Sequence, residues 1–393
     1  MSSPTVSWHA PAIEIDFDQD YTGGTRLGAA IPARALGVLP GAVRQIPKVQ
    51  NMKAILLSLV LVLAAATEGL SQQISFDRLP AHVFDVLSPS ARVVGNPGAM
   101  TIKRTTCPNV PAGDVRRRIV ELAVQEWGFF GFTVVDQTEM SDEDFVPRRS
   151  RRPGDEHSAR VATSIAGYWT VTPSGDWILG SQNKIWSGLD GITARWRFPW
   201  SAAFVSWVMC EGGLGSPERF QRAIAHHVYI DQAIRARDQK SPLSAFLAYD
   251  VGETGLAPGD LLCTSRRPAY RALEERRAQM GQGARTHCDI VVKMDPTARR
   301  ALAIGGNVRG SVSLKIVPVS DHQGILRPTP SAGGRVMFAH LKLRAAPLDG
   351  DAFSASPTIR ALGCAGLSAA PARLAVSNAA PALRFGCSTS AAP

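Results

Sequence analysis

Few side chains in this sequence have types and spacings suited to chemistry, and several familiar constellations are missing. The six cysteines (Cys107, Cys210, Cys263, Cys288, Cys364 and Cys387) contain no Cys-x-x-Cys pair, which argues against zinc ribbons and thioredoxin-like redox chemistry. His226 and His227 are adjacent, and a helix does not aim adjacent residues at one metal. No His-Glu-x-x-His and no Cys/His cluster occurs, so neither a metal nor a cofactor is expected. Gly305 to Gly310 reads GGNVRG, neither a phosphate-binding loop nor a dinucleotide fingerprint. What remains is a serine and a histidine that each open an element. Ser201 precedes the helical spacing Phe204, Trp207, Val208, and His287 begins the β-rich run HCDIVVK. Asp289 shares the face of His287 by the strand period of two.

The elements that must position these residues are helices first and strands later. Asp114 is placed to cap a helix running to about Trp127, with Val115, Ile119, Leu122 and Ala123 on one face. GFFGFTVV reads as extended, a charged loop covers 137–157, and a helix is expected from about His157 to Trp169. A long irregular stretch with Trp177, Trp186 and Trp196 then leads to Pro199. The Ser201 helix stops at Gly212-Gly213. Ser216-Pro217 is expected to begin another helix, with Phe220, Ile224 and Val228 on its stripe, running to about Arg237. His226 lies off that stripe, either as a site residue that binds substrate or a carboxylate, or as a surface histidine. Short β-rich runs follow at Leu261–Cys263, His287–Lys293, Ala301–Ile304, Ser311–Val317 and Val336–Leu343. Helices followed by strands describe an α+β fold in which N-terminal helices pack on an antiparallel sheet.

Composition sets the surroundings of this core. The chain has 393 residues, 45% of them hydrophobic, enough to bury a sizeable core. Its net charge is +10, with arginines concentrated at Arg148, Arg149, Arg151 and Arg152 and at Arg266, Arg267, Arg271, Arg276 and Arg277. Such charge suits an anionic partner or, equally simply, solvated loops. No aromatics interleave with these arginines, so no nucleic-acid partner is expected. Met52-Lys53 leads into the apolar run Ala54–Ala66 and then small residues, the pattern of a secretory signal over 52–71. The run has 13 residues, short for a bilayer span, so no stable membrane span is expected after cleavage. Residues 1–51 are then a mis-assigned start or a disordered extension, and 72–111 a lead-in. The Ala/Ser/Pro-rich stretch 346–393 reads as a disordered tail. Export to the periplasm or beyond would place the cysteines where disulfides form.

PWSAAFVSWV, PGDLL, HCDIVV and GGNV resemble, in that order, the motifs of the CHAP and NlpC branch of papain-like amidases and peptidases. More closely, with His226, Tyr229 and Ile230 as an H-x-x-YI element, the chain is similar to the bacterial domain of unknown function 2272 family over about residues 112–345. The resemblance implies a papain-like domain whose nucleophilic cysteine maps onto Ser201. A cysteine at a helix N-terminus is held as thiolate by the helix dipole and an imidazole. Serine is far less acidic and would need His287 as general base. Ser201 is otherwise a helix cap. Cys210 cannot stand in for it, being about 180° round the helix and over two turns deeper. Cys288 cannot either, because it points to the opposite face from His287. Asn307 maps onto the polar residue that orients the imidazole, with Asp289 competing for that role. His226, Trp200 and Asp289 are the expected substrate contacts. Cys263 and Cys288 fall on strands that pair in the resembled fold, where they form a cross-strand disulfide or remain buried thiols. The function implied is an exported hydrolase of amide or ester bonds, with peptidoglycan peptides or another anionic envelope polymer as partner. The alternative is a catalytically inactive module of the same fold that binds cell wall or a protein.

Overall fold

The computed structural model describes residues 77–137, 155–267, 269–322, 325–329 and 336–361. The chain divides into Met1–Gln72 and Gln73–Pro393, and every described residue lies in the second unit. The signal segment, the arginines at 148–152, the tail from 362, and Cys364 and Cys387 lie outside the described residues. Among the described residues, no helix is long and apolar enough to cross a membrane.

The helices that build the domain include α1 (Ala81–Phe84), α2 (Val115–Phe129), α3 (Asp155–Trp169), α4 (Gly175–Trp186), α5 (Ser201–Glu211), α6 (His226–Asp238) and α7 (Leu273–Arg277), with a further helical turn at 357–361. A short hairpin pairs β1 (Val93–Val94) with β2 (Thr101–Ile102). The main sheet comprises β3 (Val134–Asp136), β4 (Phe246–Tyr249), β5 (Leu261–Arg267), β6 (Arg285–Asp295), β7 (Arg300–Val308), β8 (Ser311–His322), β9 (Ile325–Pro328) and β10 (Met337–Leu343). Its order is β3-β8-β7-β6-β5-β10-β4, with β9 on β8. The α+β expectation holds. The sheet departs from pure antiparallel pairing at one edge, where β3 runs parallel to β8. The chain joining these two strands, residues 137–310, carries the helices α3 to α7 and the strands β4 to β7, so the long connection that a parallel pair needs is present.

Alternation sorts the strands between two cores. Cys288, Ile290 and Val292 of β6, Leu302 and Ile304 of β7, and Leu314 and Ile316 of β8 face the helices. Val291, Ala301, Ala303, Val317 and Val319 line a smaller core on the other face. All eleven residues of α5 are buried, so it is a central helix with neighbours all round. Cys107–Cys210 ties its C-terminal turn to the lead-in, and Arg92, 1% exposed, pairs there with Glu211.

Several sequence expectations are corrected. The stretch read as irregular contains α4, whose Ile178, Leu179, Gln182 and Trp186 are buried. Its turn-forming start, Thr170 to Gly175, masked the helical spacing. Residues 216–225 are turn and extended backbone, and the helix expected from Ser216 begins at His226. Its buried face is therefore His226, Tyr229, Ile230, Ala233 and Ile234, while Ile224 and Val228 are half-buried. Counting the period from Phe220 put the stripe in the wrong phase. Asp114 does not cap α2; its carboxylate pairs with Arg117 instead. Within the basic cluster, Arg276 is wholly buried against Asp231, and Arg277 pairs with Asp238 and Glu274, so neither charge is free for a partner. Beyond the boundary drawn at residue 345, Phe353 is fully buried and packs near Trp127.

Candidate functional site

The site forms where β6 and β7 part. Their pairing begins at Ile290↔Ile304, so the strand before Ile290 has no β7 partner. Cys288 lies opposite Cys263 on β5, and the two form the cross-strand disulfide with Cα atoms 4.1 Å apart. The Cys288 amide donates to His226 Nδ1 at 3.2 Å. The first residue of α6 thus fills the gap that β7 leaves.

Ser201 is the first helical residue of α5, not its cap, and it is 8% exposed. Its Oγ lies 2.7 Å from His226 Nε2. The protonation of that histidine follows from its partners. A backbone amide only donates, so Nδ1 is an acceptor, and the Tyr229 hydroxyl donates to the same nitrogen. Burial, reinforced by the neighbouring His287, pushes the His226 imidazole well below its ordinary pKa. The ring is therefore neutral, carries its proton on Nε2 and donates it to Ser201. Burial and the charge of Asp289 hold the Tyr229 phenol well above its usual value, so it stays a donor.

His287 lies beside this pair, its ring centroid 5.1 Å from that of His226. Its Nε2 donates to Asp289 Oδ1 at 2.9 Å, and Lys315 Nζ donates to Asp289 Oδ2 at 2.6 Å. Burial alone would raise the Asp289 carboxyl, but Lys315 and His287 outweigh it and hold the acid well below the usual carboxylate range. With Asp289 ionised, the His287 proton sits on Nε2 and the lone pair on Nδ1.

The Gly305-Gly306 pair serves both faces of β7. A Cβ on Gly305 would fall 1.9 Å from Asp289 Oδ1 and 3.0 Å from His287 Nε2, whereas one on Gly306 would fall 2.6 Å from the Phe204 Cβ of α5. One glycine admits the His–Asp pair and the other admits the helix that carries Ser201.

The structure thus brings Ser201, His226, His287 and Asp289 together, with Ser201 bonded to His226. Asp289 occupies the orienting position beside His287. Asn307, with φ of 56°, makes no side-chain hydrogen bond among the described residues. Trp200 is 3% exposed and stacks with Phe130 and Tyr168, which makes it a core residue under the site and removes it from the expected substrate contacts. Lys315 and Tyr229 complete the cluster. Tyr229 was legible as part of the H-x-x-YI element, but nothing local marks Lys315 in a strand of alternating apolar residues. Among the described residues, no group of three or more His, Cys, Asp and Glu side chains is arranged to hold a metal.

Residues 160–343 match the family described as "Uncharacterized protein conserved in bacteria (DUF2272)". That span contains every residue of the cluster. No curated protein and no solved structure gives a match to this chain.

Proposed function

We propose that the domain is a papain-like hydrolase of amide or ester bonds, exported and acting on peptides or esters of an anionic cell-envelope polymer. Ser201 is the nucleophile and His287 the general base. The observation that carries this reading is the convergence of Ser201, His226 and the Asp289-held His287 from three separate elements. His226 fixes the Ser201 oxygen by donating to it, which leaves the serine proton to go to the His287 Nδ1 lone pair as Oγ attacks the carbonyl carbon. Asp289 then stabilises the imidazolium, and the first amides of α5 face the developing oxyanion. His287 returns the proton to the leaving amine or alkoxide, and water releases the acyl group from Ser201 by the reverse sequence.

A second reading, an inactive binding module of the same fold, is favoured by one observation. His226, the hydrogen-bond partner of Ser201, presents a proton where a base would present a lone pair.

Incubating the full chain with purified peptidoglycan and with model esters separates the two. The hydrolase reading expects turnover that Ser201→Ala lowers by about 10³-fold or more, with little loss of stability. Turnover unchanged in Ser201→Ala overturns the site. An inert wild type that gains activity as Ser201→Cys establishes the binding module with a lost nucleophile.

A further inference from the structure

Lys315 lies on β8, one strand in from the edge of the sheet, paired with Ala303 on β7 and Val135 on β3, and it is 7% exposed. Its strand neighbours on that face, Val317 and Val319, are core residues. A lysine ammonium in such a place is costly unless paired and hydrogen-bonded. Its partner, Asp289, lies two strands away on β6, and the line between them crosses β7 at its smallest residues, Ala303 and Gly305. Asp289 Oδ1 fills the space where a Gly305 side chain would be. A purely structural ion pair would be complete at this point. Here the second carboxylate oxygen goes to His287, whose ring abuts the histidine bonded to Ser201.

We propose that Lys315 is a positioning residue for His287, acting through Asp289. The carboxylate fixes which His287 nitrogen carries the proton, and the ammonium offsets its charge so that the ring remains a neutral acceptor. With Asp289 alone, a buried anion 2.9 Å from the ring would favour the imidazolium, which cannot accept a proton. The groups facing His287 are Asp289 on its own strand, Lys315 on β8, and His226 on α6, with Tyr229 and His227 behind it and Ser201 of α5 bonded to it. The consequence for catalysis rests on the hydrolase reading; the electrostatic arrangement does not.

The test is an NMR titration of the His287 ring in the full chain, its resonances assigned by their loss in His287→Gln. Lys315→Met should move the midpoint up by about one pH unit or more, and Asp289→Asn should move it down by a similar amount. Lys315→Met/Asp289→Asn restores neutrality without the charges, and should return the midpoint to within about half a unit of wild type. Lys315→Arg should leave it close to wild type. A midpoint that does not move in Lys315→Met overturns the proposal. Should that variant fail to fold, a double variant displaced as far as Asp289→Asn overturns it. If the hydrolase reading holds, the acid limb of the pH–rate profile moves with the titration. A titration that shifts while the rate profile stays still retains Lys315 as the charge partner and removes His287 as the base.

Discussion

Asp260, immediately before β5, and Asp289, on the adjacent β6, each hold a histidine and a lysine, yet they do different work. Asp260 Oδ2 meets His340 Nε2 at 2.9 Å, Lys342 Nζ at 3.4 Å and the Ala257 amide at 3.0 Å. Its Oδ1 takes Arg116 at 3.2 Å and the Leu343 amide at 3.0 Å. This is the aspartate of the PGD motif, placed by Gly259 in the left-handed region, and it ties the start of α2 to β10. Asp260 and His340 are 0% and 1% exposed, and His340 Nδ1 has no polar partner among the described residues. Asp289 accepts from side chains alone in the hydrogen bonds it makes, and its histidine is half-buried at the parting of two strands. The same residue types give a sealed joint when backbone amides saturate the carboxylate. They give a candidate site when the carboxylate is left to orient a ring beside a hydroxyl.

Asp260→Asn should break the sealed cluster most severely. It removes the buried negative charge facing Arg116, and destabilisation of about 3–5 kcal/mol is expected in urea unfolding of the full chain. A loss below about 1 kcal/mol would show that the network is not what joins α2 to the sheet. Gly305→Ala attacks the other cluster. Its methyl displaces the Asp289 carboxylate, with an expected cost of about 1–3 kcal/mol at neutral pH and a shallower loss of stability below about pH 4, because the depressed Asp289 no longer contributes to it. A variant as stable as wild type with an unchanged His287 titration would refute the packing argument.

The pH dependence of stability sharpens the contrast. His226 has a folded pKa below its unfolded value, near 6.5, so the unfolded chain binds more protons as the solution is acidified. Its stabilisation is present above about pH 6.5 and is lost as pH falls toward the folded value, by at most about 1.4 kcal/mol per unit. His227, also lowered by burial, acts in the same direction. Asp289 and Asp260, both depressed, add their losses only below about pH 4. Replacing His226 by Gln should flatten the upper part of this profile and leave the acid part in place. Tyr229→Phe is the mildest test. It removes one of the donors to Nδ1 at a cost of about 1 kcal/mol, while the Cys288 amide still holds the His226 proton on Nε2. A ¹⁵N shift change showing the other tautomer would contradict that assignment.

Much of this was legible in order of residues and not in depth. The α5 helix and its start at Ser201 follow from local spacing, as does a strand over His287–Lys293, although β6 begins two residues before the expected opening, at Arg285. The shared face of His287 and Asp289 follows from strand alternation. The buried face of α6 was misread because its phase depends on where the helix starts, and that start is set by packing after a stretch without a cap signal; of the two readings open for His226, the structure places it in the cluster. Trp200 was expected as a substrate contact, but an aromatic next to Ser201 is equally suited to the core beneath it.

The sequence by itself determined the α+β class, the start of α5 at Ser201 and the strand that carries His287 and Asp289 on one face, since those features depend on neighbours within a few residues. Only the tertiary structure decided that Ser201 bonds to His226, that Asp289 holds His287, and that a lysine two strands away completes the cluster. The first and last of these join residues 25 and 26 positions apart, through the packing of α5 on α6 and of β6 across β7 to β8. No local pattern encodes which nitrogen of a buried ring meets a donor from another element. That is set by the backbone amide left open where two strands separate.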